Sequence, residues 1–560
     1  MLEKSLFSSK LETFTNEGHA IQRPGLHLLR WLRPRMILLL TLTVATLLIT
    51  VRIGKGEFNF NDDETQHAMT GMYFYDLLKD RPLRHPIEYT YEYYAHYPAL
   101  GLIHWPPLFH LSEGLVFHLL QPSVIAARLT VLLFALLGLY FWFRFVAELH
   151  NEWIAFLATT LLALSPMVLL YEKVVMLEIP SLSLCIAATY YWSRYLRTGT
   201  DRLLWWFAMY ACAALLTKQT SLYIAMFCFL SIMITRRWRL LFRRSALIVL
   251  AACILAVGPY YALDFAIHRG TVAMDILGSR ALSTASCARQ FIYYWQHLPL
   301  QLGWPLLLLS VLGIVISFTS RQLEIRILMF MWILSCYITF TLIPSKEPRF
   351  IIYWVPAFIY FATVPILELK GRLRRLIGMA VVLCLVIVMV GSAWSYQRPY
   401  VAGYAPVAKR IAQMTKAGVI LFDGDLAGNF IFFMRCADPP RHFVVLRKAL
   451  YAVQIGRNRG SVEIIKTRED LLNLIREYGI RFIVVTENAR VEFQVQQILR
   501  DVLHTSQFRQ VEKFGIDTND RLLCGHNLLL YENLDPATAS TQYLRIKMLT
   551  LPHDIVVPLK

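Results

Sequence analysis

Residues 36–64 read MILLLTLTVATLLITVRIGKGEFNFNDDE, and this stretch decides the fold class. Its first part, residues 36–53, is apolar apart from Arg52 and has the length at which a helix crosses a hydrocarbon core. Three consecutive carboxylates, Asp62, Asp63 and Glu64, follow within a few residues. A span that delivers acidic side chains to its far surface is the unit from which the rest of the chain is read.

Similar apolar runs recur along residues 36–390. The chain is 56% hydrophobic and only 17% charged, against about a quarter charged in soluble chains, so most of it belongs in a bilayer. After residue 392 the composition becomes that of an ordinary soluble domain. The organisation expected is a cytoplasmic N-terminal segment (1–35), a transmembrane domain (36–392) with a catalytic external loop at about 54–120, and an exported α/β domain (393–560). The formal charge of +18 does not point to nucleic acid. Its basic residues sit in short loops between apolar runs, which is the positive-inside pattern. Nine cysteines show no C-x-x-C spacing for zinc or redox chemistry. Cys436 and Cys524 share the C-terminal domain and could pair only if their separation allows it.

Arginines before the first run, with no small-residue cleavage site after it, mark a signal anchor with a cytoplasmic N-terminus. The basic loops at 236–244, 321–326 and 370–375 belong in the cytoplasm. Alternation then sends residues 171–178, 217–220, 268–299 and 343–349, and everything after residue 391, to the other side. Residues 106–120 are apolar but short and carry His110, Glu113 and His118, so a complete crossing would be expensive. An interfacial or re-entrant segment is expected there. The scheme has about eleven crossings plus interfacial helices and places the chain in a bacterial inner membrane. In the C-terminal domain, strands are expected at 419–422, 443–446, 481–486 and 527–531. A helix capped by Thr467 with Asp470 precedes a second one near 491–503.

Adjacent carboxylates beside a low-dielectric boundary repel one another, so one of them should hold its proton unusually well. That suits a general base or a metal site, although an acidic helix cap is an equal reading. By parity, Glu178, Lys218, Lys346 and Arg349 emerge on the same face as Asp63, with Lys173 and Glu172 just before Glu178. Ionisable groups at membrane depth are functional candidates. Lysine and arginine could hold a phosphate, and carboxylates could take a proton or bind a metal. His104 and His67 read more readily as interfacial or core residues than as ligands. The tyrosines at 89, 91, 93, 94 and 97 suit an interfacial belt more readily than a sugar-stacking surface.

Asp-Asp-Glu after the first span, a Pro-Pro segment, Val175-Met176-Leu177-Glu178-Ile179-Pro180, Leu216-Thr217-Lys218-Gln219 and Ser345-Lys346-Glu347-Pro348-Arg349 occur in the order seen in GT-C glycosyltransferases. Over roughly residues 36–360 the chain resembles the branch containing aminoarabinose transferases and protein O-mannosyltransferases. The resemblance implies inverting transfer of a sugar from a polyprenyl-phosphate donor to a lipid, glycan or protein acceptor on the non-cytoplasmic face. It implies Asp63 as the essential acid, with Glu64 beside it and Glu178 in the second acidic position. Lys173, Lys218, Lys346 and Arg349 match its basic positions and are candidate substrate-binding residues, to which Asp62 and His104 are added from their place in the same loops. A divalent metal stays open, and no other cofactor is implied. Where aminoarabinose transferases have Glu-Lys-Pro, this chain has His104-Trp105-Pro106, so a phosphate-contacting lysine is missing. A membrane transporter or lipid flippase is the alternative from another class; the absence of internal repeats and the gathering of charges at one face weigh against it.

Overall fold

The computed structural model describes residues 24–59, 63–102, 104–268, 284–318, 323–343, 345–369, 371–447, 449–453, 461–536, 538–547 and 554–559. The first two thirds are helical. Pro24–Thr50 is followed by a short surface loop and the helix Asp63–Asp80, then Pro86–His96 and Leu108–Leu120. Val124–Leu149 begins at Ser123, whose hydroxyl accepts from the backbone N–H of Ala126. Asn151 caps the next helix, Glu152–Leu164, accepting from Trp153 and Ile154. Glu178–Thr198 stops at Gly199, in the left-handed region at φ +66°, and returns as Asp201–Leu215.

Among the described residues, four helices are long and apolar enough to cross a bilayer: Val124–Leu149, Arg244–Ala266, Glu324–Leu342 and Pro348–Glu368. A fifth crossing is available if Gln290–Leu302 and Trp304–Ser317, bent by 117°, act as one. The chain is an integral membrane protein. Leu255 (75% exposed) and Leu308 (65% exposed) show the apolar outer surface of two of these segments. The expected count of about eleven is not reached by this measure. The physical reason is breakage: Ser165-Pro166 splits the 152–171 run, and Lys218 splits the 201–234 run. Tyr223–Ile234, at 12 residues, is only about 18 Å long. Leu108–Leu120 is a 13-residue helix packed on Asp63–Asp80 and Val124–Leu149, and is likewise too short to cross.

The helical part has two distinct ends. Near the start of Val124–Leu149, Arg128 donates to the carbonyls of Ile53 and Glu57, both at 2.7 Å, and so staples the loop after the first helix. At the far end of the same helix, Glu148 accepts from the Tyr190 hydroxyl and pairs with Arg194 and Arg197. Arg243 donates to the carbonyl of Gly199 at that end. Arg194, Arg197 and Arg243 therefore gather at the end of this helix opposite the 53–57 loop. The final long helix, Arg372–Ser395, ends beside the end of the first, with Arg52 donating to the Ser395 carbonyl.

The C-terminal region is α/β, with a five-stranded sheet ordered Phe443–Leu446, Gly418–Asp423, Ile480–Glu487, Asn527–Asn533 and Phe508–Gly515. The first three strands are parallel and the last two antiparallel. The expected strands are present, and Phe508–Gly515 is an added edge strand whose exposed, charged pattern hides it from a search for apolar runs. Thr467 and Asp470 form the expected capping box. Side chains alternate: Val419 and Leu421 join one core cluster with Leu471 and Leu499, while Ile420 and Phe422 join a different one with Phe430. That second cluster continues without a break into the helical domain. Cys436 and Cys524 are both free thiols.

The tyrosine-rich helix Pro86–His96 lies between Asp63–Asp80 and the C-terminal domain, and this corrects the expected interfacial belt. Tyr93 donates to Asp76 at 2.7 Å, Tyr97 to Asp438 at 3.3 Å and Tyr89 to Asp80 at 2.8 Å. Arg435 from the C-terminal domain grips Asp76 through Nε (3.0 Å) and Nη2 (2.5 Å), with both residues buried.

Candidate active site

Asp63 is the first residue of its helix, where the dipole and free N–H groups favour an anion. Arg349, in the turn Pro348–Trp354, reaches it with Nη1 and Nη2, each 3.1 Å from Oδ2. Among the described residues, both of these bonds fall on one oxygen, which leaves Oδ1 open. Arg349 Nε donates to Glu347 at 2.6 Å and lies 3.6 Å from Oε1 of Glu178, the first residue of Glu178–Thr198. The same Oε1 accepts from Lys218 Nζ at 2.6 Å. Asp63, Arg349, Glu178 and Lys218 thus form one continuous chain of charges from four separate segments. Glu178 is 1% exposed, whereas the Asp63 side chain is 21% exposed, so Asp63 is the acid of the chain that can meet a substrate. Burial pushes its carboxyl above the ordinary value, and the Arg349 guanidinium opposes that shift.

Lys218 occupies the break between Asp201–Leu215 and the short turn Gln219–Leu222, with the rings of Trp105 and Phe350 about its ammonium. The Tyr353 hydroxyl joins Ser181 (2.8 Å) to Thr220 (2.7 Å), tying this break to the Glu178 helix. His104 contributes its carbonyl, which accepts from Gln219 at 2.8 Å.

Other expected residues stand apart. Glu64 is buried and its two oxygens accept backbone N–H groups, Asn59 at 2.9 Å and Val175 at 2.8 Å, so it holds two loops together. Lys346 points its ammonium at the carbonyls of Phe340 and Thr341, at 2.5 and 2.7 Å, and closes the end of Leu323–Leu342. Burial lowers its pKa to about 8. Lys173 turns towards the end of the first helix, donating to the carbonyl of Val51. Asp62 lies outside the described residues. Among those described, no group of three or more His, Cys, Asp or Glu side chains comes together to hold a metal.

A buried layer lies behind Asp63, where His67 is buried, as its reading as a core or interfacial residue expects, and His110 and Glu113 join it. His67 Nδ1 and His110 Nε2 are 2.9 Å apart, and burial, with the neighbouring histidine, holds His67 well below the usual range. Glu113, one turn beyond His110, is fully buried with neither oxygen hydrogen-bonded, and burial raises its pKa well above normal. Gly71 makes room for it: a Cβ there would lie 2.2 Å from Glu113 Oε2. Sequence reasoning missed Arg128, although an arginine within an apolar helix is itself a signal.

Residues 104–261 match the family model described as dolichyl-phosphate-mannose-protein mannosyltransferase. That match includes Lys173, Glu178 and Lys218. No curated protein matches the sequence. ArnT from Cupriavidus metallidurans bound to undecaprenyl phosphate superposes with a TM-score of 0.60 at 13% identity, over 89% of this chain and 98% of ArnT. The apo state of the same protein gives 0.57 at 14% identity, over 88% and 97%. A variant of the arabinofuranosyltransferase AftD from Mycobacteria gives 0.50 at 14% identity, over 94% of this chain and 43% of AftD. The chain therefore has a helical fold similar to that of GT-C membrane enzymes. Within that class its similarity runs, by the segment matched, to the mannosyltransferase model and, by the whole fold, to ArnT.

Proposed function

We propose that the protein is a membrane glycosyltransferase that moves a sugar from a polyprenyl-phosphate carrier to a lipid, glycan or protein acceptor, with inversion at the anomeric carbon. The observation that carries this reading is the Asp63–Arg349–Glu178–Lys218 chain, in a fold shared with a protein whose structure holds undecaprenyl phosphate. The acceptor oxygen attacks the anomeric carbon, the bond from that carbon to the carrier phosphate breaks, and its electron pair stays on the phosphate oxygen. Asp63 Oδ1 takes the acceptor proton. Lys218 and Arg349, already held in place by Glu178, stabilise the charge growing on the leaving phosphate.

General-base work contributes roughly 10²- to 10⁴-fold. A carrier that is already phosphorylated and embedded in the membrane brings its own activated bond, so the chemistry asks for no nucleotide site. The orientation follows the charge pattern: N-terminus in the cytoplasm, acidic loop and C-terminal domain on the outer face, with the shorter helices completing an odd number of crossings. A reporter fused in the 54–62 loop should be active only outside the cytoplasm.

The decisive experiment replaces the gene with an Asp63→Asn allele and extracts lipids. The expected result is accumulation of one polyprenyl-phosphate sugar and loss of one glycan, with the variant still folded and inserted. Transfer close to wild type would overturn the assignment.

A further inference from the structure

A second charged site lies where the first and last long helices end. Arg52, Lys55, Lys173 and Arg398 line a cleft together with Tyr396 and Tyr400. Lys173 (2% exposed) and Arg398 (6% exposed) are buried at its base, while Arg52 and Lys55 stand exposed at its mouth. Their hydrogen bonds go to backbone carbonyls: Lys173 to Val51 at 3.3 Å, Arg52 to Ser395 at 3.4 Å, and Arg398 to Lys173 (2.5 Å) and to Lys55. Lys55 Nζ lies 4.0 Å over the Tyr400 ring. No carboxylate is within ion-pairing distance of any of the four among the described residues.

Two acids are in the neighbourhood. Glu64 is engaged by two backbone N–H groups, and Glu172 is fully buried, where burial favours its neutral form. Buried cations without a counter-charge are costly, and a cleft that keeps two of them beside two exposed ones is built to receive an anion. Arginine and lysine together suit a tetrahedral phosphate, which offers several acceptor oxygens. The cleft lies at the ends of the apolar segments Pro34–Thr50 and Ala380–Ser395, a position that suits the level of lipid headgroups.

We infer that the Arg52–Lys55–Lys173–Arg398 cleft binds a phosphate group at the membrane surface, separately from the Asp63 site. Among the described residues, Asp63 and Glu178 pair with Lys218 and Arg349 and with none of these four cations, so the inference stands without the reaction proposed above. The phosphate belongs either to an anionic lipid headgroup or to a soluble phosphate.

The test uses the delipidated full chain in detergent, titrated with short-chain phosphatidylglycerol, short-chain phosphatidylcholine and inorganic pyrophosphate. Phosphatidylglycerol alone binding identifies a lipid headgroup, and pyrophosphate displacing it identifies the phosphate itself as sufficient; either supports the site. Arg52→Gln combined with Lys55→Gln, both exposed and so compatible with folding, should weaken binding roughly ten-fold or more. Arg398→Gln and Lys173→Gln should weaken it further where the protein remains folded. Equal binding of the zwitterionic lipid, or unchanged affinity in the Arg52/Lys55 double variant, would overturn the inference.

Discussion

Arg349 donates two hydrogen bonds to a single carboxylate oxygen of Asp63, across 286 residues of chain. The contact sets the direction of a pH effect. Burial raises the Asp63 pKa and Arg349 pulls it back down. A base works only when deprotonated, so activity is present above this pKa and is lost as pH falls through it. Arg349→Gln removes the opposing charge, and the acid limb of the pH–rate profile should move to higher pH. A limb that stays in place in the variant would separate Asp63 from the proton transfer.

Lys218 and Glu178 form a buried pair. Lys218→Met leaves the Glu178 charge with only Arg349 nearby, and should cost about 3 kcal/mol of stability. Adding Glu178→Gln should restore much of that stability while transfer stays low, because the cation proposed to stabilise the leaving phosphate is gone. Thermal unfolding and transfer assays on both variants make the comparison; recovery of transfer along with stability would count against a role for Lys218 in the reaction.

Asp76 and Arg435 join the Asp63 helix to the C-terminal domain. Arg435→Ala removes one partner of a buried pair and should destabilise by about 3–5 kcal/mol. Hydrogen exchange should rise along residues 63–80 as well as in the C-terminal domain. Faster exchange confined to the C-terminal domain would show that the domain does not brace the catalytic helix.

Lys346 closes a helix end through two carbonyls, and loses its charge above about pH 8. Lys346→Met should cost about 1.5–3 kcal/mol of stability and leave the donor KM nearly unchanged. A donor KM that rises several-fold in this variant, and rises in the wild type above about pH 8, would return Lys346 to the phosphate site.

The sequence singled out the acids and the bases. Asp63, Glu178, Lys218 and Arg349 were all legible because ionisable residues at the ends of apolar runs are costly and few. Spacing and charge alone do not separate Asp63 from Glu64; only the family resemblance favours Asp63. Glu64 carries the same chemistry as Asp63 and is adjacent to it, yet helix geometry turns it inward to bind Asn59 and Val175. Lys346 and Lys173 have the right charge and face the wrong way, a matter of rotamer and packing with no trace in spacing. The aromatic run at 89–97 looked like a lipid-facing belt because tyrosines at a membrane surface and tyrosines hydrogen-bonded in a domain interface have the same composition.

Composition and the run of residues 36–64 determined by themselves that the chain enters a membrane and sets an acidic loop beyond its first helix, because transfer of apolar length into lipid depends only on local sequence. The tertiary structure alone decided which acid meets which base. Those pairings join residues tens to hundreds of positions apart, and Arg435, with the core that the C-terminal domain shares with the helices, ties that domain to the helix that begins at Asp63.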